Sequence, residues 1–77
     1  AIAYGREGNI GMAALSLAEQ ASAAGRHRMA LQQSIRALGV LPRGSPGWLR
    51  AEDLRDEARR GVKRDRDEGR DRKDDED

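Results

Sequence analysis

Residues 10–38 read IGMAALSLAEQASAAGRHRMALQQSIRAL, and the fold turns on how this stretch is taken. Within it Ile10, Ala14, Leu17, Ala21, Ala24, Arg28, Leu31, Ile35 and Leu38 succeed one another at alternating spacings of four and three, and eight of these nine are apolar. That is the heptad seam of a helix packed along another helix, as in a coiled coil. Gly25 leaves two arrangements open. The unbroken phase favours one long helix, in which a glycine costs about 1 kcal/mol relative to alanine. Equally, Gly25 can be the residue just past a first helix, with Arg26 opening the second arm of a helical hairpin. Either arrangement makes the chain all-α.

Downstream, Leu38 to Gly47 is a break. Gly39 follows the last seam residue, and Pro42, Gly44, Pro46 and Gly47 come close behind, the expected signal for a helix stop and a Gly/Pro turn. Ser45 is suited to cap a further helix, with Pro46 at its first position, where the missing N–H is harmless. Ala51, Leu54, Ala58 and Val62 give this short amphipathic helix a narrow apolar face, extended by Trp48 and Leu49. Glu52 and Asp53 lie early and Arg59 and Arg60 late, which suits the helix dipole. From Lys63 to Asp77, 14 of 15 residues are charged and none is apolar. An exposed helix laced with ion pairs is one reading; the aspartates and Gly69 favour a disordered tail. Upstream, Gly5, Gly8 and Gly11 predict a flexible lead-in, with Asn9 as the helix cap and a short strand open to Ala1–Tyr4. The expected organisation is a lead-in over 1–9, a helical domain over 10–62 and a mixed-charge tail over 63–77.

Composition narrows the function. The chain has 77 residues, no Cys and one His. Disulfides and thiolate metal sites are excluded, and so is a multi-histidine site within one chain. His27 stands between Arg26 and Arg28 with no nucleophile beside it in the sequence, and the serines have no visible base, so no catalytic constellation is present. The glycines at 5, 8 and 11 are not followed by the Gly-Lys-Ser/Thr of a phosphate-binding loop. A non-enzyme without cofactor or metal is the expectation. No run approaches the roughly 18 apolar residues of a membrane span. The start lacks a basic region followed by an apolar run, so a cytoplasmic setting without a membrane partner is expected. About 60 residues without Phe can build only a modest core. Homo-oligomerisation or docking on a protein partner is therefore expected to complete it. Leu17, Leu31, Ile35 and Leu38 of the seam, with Trp48 and Leu54, are the candidate partner-binding residues. Trp48 either packs on Leu38, Val40 or Leu41 or anchors a partner.

The net charge of +1 is unevenly spread. Gln20 to Ala51 contains no acidic residue but carries Arg26, Arg28, Arg36, Arg43 and Arg50. Guanidinium groups bind phosphate and carboxylate bidentately, so these five are the candidate nucleic-acid contacts. Gly25-Arg26-His27-Arg28, between two helical stretches and after a potential strand at Ala1–Tyr4, resembles the turn of ribbon-helix-helix antitoxins of bacterial toxin–antitoxin systems, with His27 where Ser is usual. Gly44-Ser45-Pro46-Gly47-Trp48-Leu49-Arg50-Ala51-Glu52-Asp53-Leu54 similarly looks like the toxin-binding extension of such proteins. The resemblance covers about residues 1 to 60 and implies a small nucleic-acid-binding regulator. The regular seam supports a different reading, a helical assembly protein that docks on like subunits or a larger complex.

Overall fold

Gly25 breaks the long seam. In the computed structural model, which describes the backbone of residues 5–76 and the side chains of residues 8–67, it takes φ +76°, a conformation costly for any residue with a Cβ. The Arg26 N–H donates to the Ala21 carbonyl at 2.8 Å and the Gly25 N–H to the Ser22 carbonyl at 3.1 Å. This crossed pair is the Schellman closure of a helix. The chain is thus a hairpin of α1 (Gly5–Ala23) and α2 (His27–Val40), followed by α3 (Pro46–Glu76). Among the described residues every element is helical. The potential strand at Ala1–Tyr4 lies outside them.

Three boundaries differ from expectation. Helix α1 begins at Gly5, so the expected lead-in is helical over 5–9, and Asn9 is an exposed residue within the helix rather than its cap. Helix α2 runs through Gly39 to Val40. It stops because Leu41 precedes Pro42 and is held extended, at φ −75° and ψ 149°. Helix α3 carries on through the charged stretch to Glu76, the exposed-helix alternative for that backbone. The turn between α2 and α3 agrees with the sequence. The Ser45 N–H donates to the Pro42 carbonyl at 3.0 Å around Gly44, whose φ is +82°. Ser45 Oγ accepts from the Trp48 N–H at 3.3 Å, and Pro46 opens α3.

The helices run up, down and up, with α2 packed extensively on both neighbours and α1 touching α3 less. Seven of the ten buried apolar residues are alanines: Ala14, Ala18, Ala21, Ala30, Ala37, Ala51 and Ala58. Leu15, Leu41 and Leu54 are the others. Ser34 is fully buried among them and satisfies its hydroxyl on the Leu31 carbonyl at 2.9 Å. Small side chains let helices approach at the short end of the usual 8–10 Å range. At both ends of the bundle a side chain packs on glycine where a Cβ would obstruct it. At one end Leu41 wedges between glycines: a Cβ on Gly11 would lie 2.8 Å from Leu41 Cγ and Cδ2, and one on Gly47 3.2 Å from Leu41 Cδ1 and Met12 Sδ. At the other end the half-buried His27 imidazole lies on Gly61, where any Cβ would strike the ring. Residues 63–76, roughly 21 Å of helix, continue beyond that contact.

The glycines give a paired test. Gly11→Ala gains about 1 kcal/mol of helix propensity but drives a methyl into Leu41, which Gly47 hems in from the other side. Overpacking of this kind costs about 1–3 kcal/mol. Gly39 is helical and a Cβ there meets nothing within 4 Å. Thermal unfolding should show Gly11→Ala melting below the wild type and Gly39→Ala melting above it, the latter by about 0.5–1 kcal/mol in stability.

Candidate functional site: the two grooves beside α2

Filling the interior with alanine leaves larger apolar side chains outside. Ile10, Met12, Leu17, Met29, Ile35 and Leu49 are exposed by 38% to 51%. The single seam drawn through the sequence does not exist as one surface. The hairpin buries Ala14 and Ala21, exposes Leu17 on one flank and turns Ile35 to another.

The first flank lies between α1 and α2. Ile10, Ala13 and Leu17 of α1 line it with Gln33 and Arg36 of α2, and further along Leu17, Gln20 and Ala24 face Arg26 and Met29. Its middle is neutral; Arg26 and Arg36 are its charged residues. Gln33 Oε1 is buried here with no hydrogen-bond partner, a condition that costs about 1–3 kcal/mol.

The second flank lies between α2 and α3. Ile35, Leu38 and Trp48 form its floor, and Arg43, Arg55 and Arg59 stand around it. The groove encloses about 480 Å3. On the same flank, towards the His27 end, a separate smaller depression is lined by Val62, Arg28, Arg66 and one carboxylate, Asp65. Leu38 and Trp48 are half-buried and pack on the core cluster, so this floor is continuous with the interior. Leu31 packs likewise on Ala21, Ala30 and Ala58.

The candidate nucleic-acid residues are not brought together. Arg28 and Arg43 stand by the α2/α3 groove, while Arg26 and Arg36 border the α1/α2 face. Arg50 points to α1, its Nε 3.3 Å from Glu19 Oε1. Both partners are about half exposed, so this link between α1 and α3 is a minor contribution, under about 1 kcal/mol. Of the candidate partner-binding residues, Leu54 is 2% exposed and packs in the core of the single chain. It sits between Ala51 and Ala58 on the one stripe of α3 that faces inward. Leu17 and Ile35 are open, and Leu31, Leu38 and Trp48 are partly covered. The sequence reading passed over Ile10 and Met29 as site residues, and over Arg55 and Arg59. The last two share a stripe with Trp48 at i, i+7 and i+11, a spacing visible once α3 is taken as one helix.

Among the described residues no three His, Asp or Glu side chains converge as metal ligands would. No helix there is long and apolar enough to cross a membrane. The chain matches no family model, no curated protein and no solved structure.

Trp48 therefore has one side on the core and one on the groove. Acrylamide should quench its emission in the folded protein, but less than in the urea-unfolded chain. Trp48→Ala should cost about 2–4 kcal/mol, below or at the low end of a fully buried Trp. Complete protection from quencher would contradict its place on the groove floor.

Proposed function

We propose that the protein is a non-catalytic helical assembly module that docks through its apolar flanks, with like subunits meeting on the face between α1 and α2. The observation that carries this reading is the distribution of size: alanine inside, and Ile10, Leu17 and Met29 outside on one face whose middle is uncharged, with Arg26 and Arg36 at its ends. An alanine core buries little area, and stabilisation follows area, so a further apolar contact adds what the monomer lacks. A neutral centre suits self-association, because a two-fold interface sets each patch against its own copy and would set any strong charge against its like. The orphaned Gln33 Oε1 at this face is also a group that an arriving donor, with a small rearrangement, would satisfy. In this reading the mixed-charge helical stretch from Lys63 is a solvated arm that adds little to the stability of the bundle. Its side chains from Lys63 to Asp67 are exposed.

The second reading, a nucleic-acid-binding regulator of the antitoxin kind, is supported by one observation. It is the break between α1 and α2 at Gly25 and Arg26, the position of the turn in the resemblance.

Sedimentation equilibrium tests the first reading. The wild type is expected at a multiple of its 8.5 kDa chain mass. Leu17→Asp should weaken association by about 100-fold or more, since a carboxylate buried at the interface costs several kcal/mol. Helicity should be retained, because Leu17 is exposed in the single chain. A wild type at 8.5 kDa at every concentration would sink the reading. Removal of residues 68–77 should leave both the mass multiple and the melting temperature nearly unchanged, as exposed ion pairs contribute little.

A further inference from the structure

The groove between α2 and α3 differs in kind from the face between α1 and α2. Its floor is apolar and its rim is cationic. Ile35, at 51% exposure, lies open beside Leu38 and Trp48, and Arg43, Arg55 and Arg59 surround them. Arg55 is already engaged: its Nε and Nη2 lie 3.2 and 3.1 Å from Asp56 Oδ1. Arg43 and Arg59 have no carboxylate within ion-pair distance among the described residues. Further along the same flank, Arg28 and Arg66 continue the positive rim beside Val62, against the single carboxylate of Asp65.

We infer that this groove is the docking site for an amphipathic helix of another protein, with leucine-like residues on one stripe and carboxylates on its flanks. Three physical arguments select that occupant. A second copy placed groove to groove would set arginines against arginines, and like charges brought together at an interface cost several kcal/mol. The acidic end of this chain, Asp71 to Asp77, has no apolar residue to cover Ile35 or Leu38. A nucleic acid would satisfy the guanidiniums but leave the aliphatic floor uncovered, and Trp48 is the one aromatic residue lining the groove for a base to stack on. A helix with apolar anchors at i, i+3 or i+4 and i+7 meets both demands, for such an anchor row fills a groove between two helices. From Leu38 to Arg28 this flank, with its two depressions, extends along about three turns of α2, roughly 15 Å, the span of such an anchor row. The flanking carboxylates would reach Arg43 and Arg59, where bidentate pairing is open.

The inference rests on the reading of the chain as a docking protein but uses a different surface from self-association, so the two can fail separately. Fluorescence anisotropy with the full chain is the test. The probe is a labelled helical peptide of about 15 residues, long enough for that anchor row, with leucines on one stripe and glutamates on its flanks. Saturable binding is expected. The same peptide with lysine in place of each glutamate should bind at least about tenfold more weakly, as should the Glu peptide to the Arg43→Glu/Arg59→Glu double variant and to Ile35→Ser. All three substituted residues are exposed, so the far-UV circular dichroism should not change. Leu17→Asp should bind the Glu peptide as the wild type does, whatever its mass. The inference is overturned if the Glu peptide fails to bind at about 1 mM, the weak limit of a useful docking affinity. Equal binding of the two peptides overturns it too, as does undiminished binding by the groove variants. Tighter binding of a single-stranded oligonucleotide than of the Glu peptide would assign the groove to nucleic acid instead.

Discussion

Leu41 can sit between α1 and α3 only because Gly11 and Gly47 present backbone to it, and the same economy of side-chain size runs the length of the bundle. Seven alanines and Ser34 occupy the positions where a typical helical bundle has leucine, and Gly61 receives the ring of His27 at the far end. Among the described residues the large side chains buried inside are Leu15, Leu41 and Leu54, and no Ile or Met is among them. The larger side chains are displaced to the flanks, where two helices diverge and a groove opens. The exposed apolar flanks are therefore a geometric result of the small core. A bundle with leucine at Ala18, Ala30 and Ala51 would stand further apart and bury more area.

Local chemistry was legible in the sequence, and distant contact was not. The turn at residues 42–47 could be read because its causes lie within it: Pro42 restrains Leu41, Gly44 supplies the positive φ, and Ser45 caps α3 through its own hydroxyl. Gly25 was ambiguous because the apolar phase continues across it. Phase counts positions, and only a backbone conformation forbidden to other residues distinguishes a terminator from a tolerated interruption. The N-terminal glycines looked flexible for the opposite reason. Their propensity is poor, and what holds Gly8 and Gly11 in helix is burial, with Leu41, thirty residues on from Gly11, packed against the latter. The seam misled most, since a heptad count gives Ala14 and Leu17 equal weight. In the hairpin one is at 3% exposure and the other at 45%. Size decides which of two apolar neighbours can face a close helix, and period alone carries no size.

Charge follows the same division between chain and space. The acid-free stretch from Gln20 to Ala51 is continuous in sequence, but it contains both turns of the fold. Each reversal sends its arginines to a different flank, so the five do not make one phosphate-facing stripe. The cationic flank is assembled across the window's edge: Arg28 and Arg43 come from within it, and Arg55, Arg59 and Arg66 from a helix that also contributes Asp65 and the Asp56 paired with Arg55. A charge census by segment therefore pointed to anionic partners for one set of residues, while the structure gathers another.

Helix α3 carries two adjacent stripes that serve different ends. Ala51, Leu54 and Ala58 face the interior. Trp48, Arg55 and Arg59 lie a fraction of a turn away, beside α2. Three packed helices whose outer groove has an apolar floor are one element short of a four-helix bundle, in which the fourth helix rests on two neighbours at a shallow angle. The arginines on the rim set the charge that a helix docked there, as proposed, would have to carry. An apolar fourth helix from the same chain would leave the guanidiniums beside a dry interface without counter-ions, a costly arrangement. An acidic one gives each guanidinium a carboxylate at the wetter edge, where pairing adds specificity and speeds encounter more than it adds affinity. In the proposed complex the affinity would depend on leucine-sized contacts to Ile35, Leu38 and Trp48, and the choice of partner on the rim.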